Sequence, residues 1–490
     1  MGHCISADSG NSVGEISGHS AQINTVSIRQ QRPLRAATGS DDTSTVFYHG
    51  APFEFNSIIR GQHDRFVLGT EFSPDGAMLV TVGADKRIWL YDGKTGEARK
   101  SVGEGIHTGS ILGVSWASDS KYFVTASTDQ TVRVWDAEAA KLVQSWRMGE
   151  DGKTSVQHQQ VGVVWPKGRS DNLIISVDLE GNLNYFNLGD SKPSKVVQSH
   201  QKSITAATIT QDQTLWTGSS EGRILAWNII EQRADSVAGE QHKNYIASLS
   251  TSTTSPSKVY STAWDDSLRY IQTDSKSFAT GATKLSGQPK ALVVTTSSLA
   301  VIATASGLEL YSDAGDRAGS HSTNFTPTSL GAWGDVVAVG GDDKVLRLYD
   351  LSDPKNFKVI QELRDATAPT STISFAKKGD LMAVGAANGK IYVYQCSDPS
   401  SSSGDWKLLT SRWSAHTARV TCMAWRDDGA AAASGSLDTN VHVWSVSDPG
   451  KRIVAKNAHK EGVNVISWAK DKIFSAGADA SVKVWKVQGI

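Results

Sequence analysis

The sequence predicts an all-β protein built from one small sheet repeated along the chain, and three observations carry that reading. Aromatic, Gly, Ser and Thr residues are plentiful, while the 3.6-residue apolar period of a helix is scarce. Short β-branched and apolar runs alternate with tight turn signals. The whole pattern recurs every forty-odd residues along 490 residues.

Residues 107–136, HTGSILGVSWASDSKYFVTASTDQTVRVWD, give the unit in its clearest form. A loop histidine precedes a predicted strand at 111–116. Turn residues at 117–120 lead to a strand at 121–127, a second turn at 128–130 and a third strand at 131–135, with a fourth at 141–146. Strands joined this tightly pair antiparallel, because parallel neighbours need a crossover of about a dozen residues or more. Each unit is therefore a four-stranded antiparallel sheet.

The third strand ends in an aromatic or another apolar residue at Tyr48, Tyr91, Trp135, Phe186, Trp227, Ile271, Tyr311, Tyr349, Tyr394, Trp444 and Trp485, at intervals of 38 to 51 residues. Six residues earlier stands an acid or its stand-in: Asp42, Asp85, Asp129, Glu180, Glu221, Asp265, Asp343, Asn388, Asp438 and Asp479, with only Ala305 breaking the column. A histidine often precedes the acid by about twenty residues, at His19, His63, His107, His200, His242, His416 and His459. This skeleton resembles that of WD-repeat propellers. A small twisted sheet cannot bury both faces alone, so such sheets stack around an axis. The resemblance implies a hydrogen-bonded structural tetrad of His107, a second-strand hydroxyl, Asp129 and Trp135. Thr125 and Ser127 both qualify for the hydroxyl, with Ser127 the expectation carried forward. The matching sets are His416, Asp438 and Trp444, and His459, Asp479 and Trp485.

Composition narrows the function. Charge is balanced, with 49 Lys+Arg against 50 Asp+Glu, which argues against a nucleic-acid surface or a polybasic membrane tether. The three cysteines, Cys4, Cys396 and Cys422, form no CxxC pair and read as reduced thiols of a cytosolic protein. Residues 291–305 are the nearest approach to a membrane span, too short and too rich in Thr and Ser. No secretory leader opens the chain.

Eleven units exceed the four to eight blades that typically close one ring, so a split is required. The loop-like stretch 190–199 places it, giving an incomplete N-terminal WD-repeat propeller at 1–195 and a seven-bladed one at 196–490. Residues 1–16 read as the last two strands of a blade, so the first ring is expected to hold four blades plus part of another. Only five residues follow Trp485, so the last blade is expected to lack its outer strand. Two unpaired edges lead to an expectation of weak binding and aggregation. The polar stretches 250–257 and 397–405 read as surface loops.

The stretches GHCISADSGNSVGEISGHS, VFYHGAPFEFNSIIRGQHDRFVLGTEFSPDG, LYDGKTGE, AWDDSLRYI, LSGQPKAL, AVGGDDKVLRLYD, WSAHTARVTCMAW and SAGADASVKVW resemble the actin-interacting protein 1 family across essentially the whole chain. The resemblance implies two seven-bladed propellers, here without roughly the first two and a half blades. It implies an actin-binding regulatory protein that acts with cofilin to promote filament severing and disassembly and barbed-end capping. It further implies actin filaments and cofilin as partners, a monomeric state and a cytoplasmic location at cortical actin patches. No cofactor, nucleic acid or membrane is expected. Carried over motif by motif, the actin/cofilin contacts fall on Asp41, Glu54, Phe55 and Phe66, with Glu54 standing where the family carries lysine. Read from spacing alone, Asp41 is equally an ordinary turn residue, since Asp42 holds the register, and Phe55 and Phe66 are equally core residues. The alternative reading is a general WD-repeat scaffold for protein–protein interaction in another pathway.

The repeated His–Asp–Ser columns are not read as catalytic triads. A nucleophile with its base stands once, in one cleft, whereas these sets recur in unit after unit. No GxSxG elbow, Walker loop or HExxH helix is present, and His and Cys are too dispersed for a zinc site. The chain is read as non-enzymatic, with no catalytic residue and no metal.

Overall fold

The structure, a computed structural model, describes residues 2–5, 9–149, 152–169, 171–229, 233–251, 257–398 and 405–490. Among these there is no α-helix, and one 3-10 turn, Val156–His158, lies in the long connection before the strand Gln160–Val164. Among the described residues no helix is long and apolar enough to cross a membrane. The chain divides into two compact units, 1–198 and 199–490.

The first unit contains four four-stranded antiparallel sheets, at residues 23–59, 67–102, 111–147 and 160–197, and a hairpin of Gly2–Ile5 with Ser12–Ile16. The first strands of the four sheets stand side by side in chain order. The hairpin joins the first sheet through the Phe53 amide, which donates to the Val13 carbonyl at 2.7 Å.

The described residues of the second unit form seven sheets, at residues 204–236, 246–284, 291–322, 327–363, 370–413, 420–455 and 463–486. Each first strand borders the next, and Ile204–Ile209 of the first sheet borders Val463–Ala469 of the last, so the row closes on itself. Ile204, Val465 and Ala476 form the apolar seam there. The last sheet has three strands, Val463–Ala469, Lys472–Gly477 and Val482–Lys486. Its outer strand carries Lys483 and Lys486, charges of the kind that blunt an open edge and so oppose the aggregation and weak binding expected of an unpaired one. The loop at 250–257 is outside the described residues at 252–256, and that at 397–405 at 399–404.

The cores lie between neighbouring sheets. Val80, Val82, Ile88 and Leu90 of one sheet pack on Ile111, Trp116, Phe123 and Trp135 of the next. This is why the central strands read as almost unbroken apolar runs, buried on both faces. Close approach of the sheets has its own sequence signature. The next-to-last residue of the second strand is glycine at Gly39, Gly218, Gly385 and Gly435, and a Cβ there would fall 2.5, 2.6, 2.8 and 2.5 Å from Val67, Ile246, Val420 and Val463. Each of those partners opens the first strand of the following sheet.

A second device joins the same places. The second residue of the first strand reaches the carbonyl of the residue that opens the next sheet. Asn24 donates to Val67 at 3.1 Å, Thr205 to Ile246 at 2.7 Å, Thr328 to Thr370 at 2.8 Å and Ser371 to Val420 at 2.5 Å. Thr421 reaches Val463 in the same way, and Asn464 closes the series on Ile204 at 2.8 Å. A buried carbonyl that faces away from its own sheet thus finds a donor.

Candidate functional site

The recurrent polar sets come together inside each sheet. In the unit at 111–147, His107 Nδ1 lies 2.8 Å from Asp129, and His107 Nε2 lies 2.9 Å from Thr125 Oγ1. The Trp135 indole N–H donates to Thr125 Oγ1 at 2.8 Å. Indole only donates, so the Thr125 hydroxyl accepts from Trp135 and points its proton at His107 Nε2. The Arg133 guanidinium donates to Asp129 at 3.0 Å and stands 2.7 Å from His107 Nδ1, so it is part of the same network.

Ser127 does not complete this set. It stands at the end of its strand, beyond the imidazole, where it accepts the Asp129 amide and donates to the Gly109 carbonyl, both at 3.2 Å. Thr125, one pleat earlier, faces both rings. Of the two hydroxyls that qualify in the sequence, Thr125 and not the expected Ser127 meets the rings, because the contact runs across the strand and not along it.

His416 lies 2.9 Å from Asp438 and 2.8 Å from Ser434, which accepts from Trp444 at 2.7 Å. His459 lies 2.8 Å from Asp479 and from Ser475, which accepts from Trp485 at 2.7 Å. His19 with Thr38 and Asp42, His63 with Thr81 and Asp85, and His242 with Ser261 and Asp265 repeat the arrangement.

Burial alone would raise the Asp129 carboxyl. Hydrogen bonds from His107, Thr131 and the Thr108 amide outweigh it and hold the group well below the usual carboxylate range. Burial lowers His107, and Asp129 offsets only part of that, so the imidazole is neutral at pH 7. Neutral imidazole and ionised carboxylate are the protonation states this hydrogen-bond chain requires.

Where the skeleton departs from the pattern, the network changes. Glu221 stands in the acid column of the sheet at 204–236, and His200 keeps Thr217 at 2.7 Å while its Nδ1 has no partner among the described residues. In the sheet at 160–197 the buried acid is Asp178, bound by Asn182 and Asn184, and not Glu180. In the unit broken by Ala305, Glu309 fills the interior and accepts from Tyr311 at 2.6 Å.

His416, Asp438 and His442 place ligand atoms within 4.8 Å of one another. Both His416 nitrogens are already engaged, so a cation there would have to break the Asp438 or Ser434 bond.

The four surface candidates lie on the first unit. Phe55 is 50 % exposed and Phe66 49 % exposed, so neither is a core residue, whereas Phe53 is buried against Ala36, Val46 and Tyr48. Phe66 precedes its strand, which opens at Val67. Asn24 connects two of the candidates: its side-chain amide donates to Asp41 at 2.7 Å and to the Val67 carbonyl, next to Phe66. Glu54 and Phe55 open the outermost strand of the first sheet, paired with His49 and Tyr48. The Asp41 end of that sheet pairs Thr45 with Ile59, so Asp41 and Phe55 sit at opposite ends of the register. The Phe55 ring lies against Gly18, whose Cβ would fall 3.0 Å from it, one residue before His19. Sequence reasoning did not find Asn24; a polar second residue in the first strand is the signal that marks it.

Residues 55–92 and 104–136 match the WD domain, G-beta repeat family, and residues 373–471 match the anaphase-promoting complex subunit 4 WD40 domain family. The chain is 38 % identical over 490 residues to a WD repeat-containing protein of Schizosaccharomyces pombe, covering 99 % of this chain and 78 % of that protein. It is 33 % identical over 503 residues to actin-interacting protein 1 of Drosophila melanogaster, covering 100 % of this chain and 78 % of the relative. It is also 33 % identical over 496 residues to WD repeat-containing protein 1 of Gallus gallus, covering 98 % and 77 %. Repeated antiparallel sheets with a shared polar skeleton, together with likeness along nearly the full chain, make it a member of the actin-interacting protein 1 family of WD-repeat proteins.

Proposed function

We infer that the chain is a non-enzymatic actin-binding regulator that works with cofilin to sever and disassemble filaments and to cap barbed ends. In this reading the second unit is a seven-bladed propeller whose last blade has three strands, and the first presents the filament-facing surface. The protein acts as a monomer in the cytoplasm, at cortical actin. The observation that carries the reading is the exposure of two phenylalanines, Phe55 and Phe66, on a unit whose other large aromatics are buried or half-buried. Aromatic residues, phenylalanine among them, are enriched at protein–protein interfaces relative to the rest of the surface. The recurrence of the His–Asp–hydroxyl sets inside the sheets supports a scaffold role for them.

Severing follows from differential affinity: a protein that binds the cofilin-decorated filament more tightly than the bare one shifts the filament toward that state. Co-sedimentation of the chain with filaments, with and without cofilin, tests this. Pelleting that requires cofilin is expected. Equal pelleting under both conditions, or none, favours the alternative of a general scaffold in another pathway.

A further inference from the structure

At one mouth of the second unit's ring a cavity of about 560 Å³ opens among the first strands. Its floor is made by Thr205, Thr328, Ser371, Thr421 and Asn464, the residues that join adjacent sheets. Their donors are already committed to neighbouring carbonyls, so the floor is fixed before anything binds.

The rim is different in character. Trp264, 43 % exposed, stacks on Tyr245 with ring centroids 4.3 Å apart, and Leu437, 47 % exposed, lines the same opening. Lys290 and Arg419 complete it, both exposed. No Asp or Glu lines the cavity, and among the described residues neither cation forms an ion pair. One face of the indole is covered by Tyr245.

Two unpaired cations beside an apolar wall define the complement. We propose that this mouth is a docking site for an acidic peptide segment of a partner protein, with carboxylates at Lys290 and Arg419 and one apolar side chain between Trp264 and Leu437. Two cations are too few to follow a phosphate backbone, and the apolar wall of Trp264 and Leu437 beside them suits a peptide side chain, so the geometry favours peptide over nucleic acid. The site lies on the second unit and does not depend on the role given to Asp41, Phe55 or Phe66.

Fluorescence anisotropy of a labelled, Asp/Glu-rich peptide with one central leucine, titrated with the full chain, tests the proposal. Saturable binding that weakens with added salt is expected. K290E and R419E should each weaken it at least about tenfold, as a hot-spot charge does, and W264A by a similar factor. Because Lys290 and Arg419 are exposed, their variants should melt like the parent chain, which separates lost binding from lost folding. An Asn/Gln version of the peptide should not compete. Absence of binding at millimolar peptide, binding unchanged by K290E and R419E, or tighter binding of a single-stranded oligonucleotide through the same residues would each overturn the assignment.

Discussion

Asn464 donates its side-chain amide to the carbonyl of Ile204, 2.8 Å away and 260 residues earlier in the chain. The same amide reaches Ser203 Oγ at 3.1 Å. The last sheet of the second unit is thereby bonded to the first by the device that Thr205, Thr328, Ser371 and Thr421 use between consecutive sheets. Closure therefore rests on a repeated local rule.

Asn464→Ala removes both bonds and leaves the Ile204 carbonyl without a donor. A cost of about 1–3 kcal/mol is expected, the usual penalty for an unsatisfied buried polar group. Amide hydrogen exchange should accelerate in 204–209 and 463–469 and stay unchanged in 327–363. Uniform acceleration across the unit would show that the seam is not a separate element.

Thr125→Val deprives the Trp135 indole of its acceptor and His107 of its donor. It should cost about 2–3 kcal/mol, read by urea unfolding followed through tryptophan fluorescence. Ser127→Ala, which removes only turn bonds, should cost roughly 1 kcal/mol or less. A larger loss from Ser127→Ala would reassign the hydroxyl.

Gly435→Ala places a methyl 2.5 Å from Val463. Overpacking of this kind costs about 1–3 kcal/mol, and the melting temperature should fall. The companion change Val463→Ala should restore part of the loss by clearing the space.

Two buried histidines give stability a pH dependence. Burial first, and then the neighbouring His416, lower His442 to about 4; burial and Arg223 lower His200 to about 3. Their folded values lie below the unfolded value of about 6.5. Both groups are neutral in both states above that value, so their contribution is complete there. As pH falls below about 6.5 the unfolded chain takes up protons that the folded chain refuses, and stability declines by up to roughly 1.4 kcal/mol per pH unit for each group. The loss continues until pH reaches the folded value. His442→Phe should flatten the decline between pH 6.5 and 5 in urea unfolding; an unchanged slope would remove His442 from the account.

Phe66→Ala should abolish cofilin-dependent co-sedimentation and leave the melting temperature unchanged, because the ring is half in solvent. Glu54→Lys, which restores the charge that the family resemblance implies, should strengthen the same binding.

Much of this was legible in the sequence for a physical reason. A sheet buried on both faces needs apolar strands, a tight turn needs its acid, and a buried indole needs an acceptor, so those columns repeat. The Gly39, Gly218, Gly385 and Gly435 positions repeat as well, since only glycine lets the next sheet's Val or Ile approach. What local pattern could not give was direction across a strand: Thr125 and Ser127 share a face, and only the pleat decides which meets the rings. The Asn24 and Asn464 contacts were hidden because each partner lies in another sheet. The exposure of Phe55 against the burial of Phe53, two residues earlier, was equally hidden.

The most direct measurement is the severing rate of single fluorescent actin filaments bearing cofilin, imaged with and without the 490-residue chain. The account predicts more frequent breaks when the chain is added, none of that increase on bare filaments, and its loss with Phe66→Ala. Break frequencies on cofilin-bearing filaments that are the same with and without the chain would contradict it.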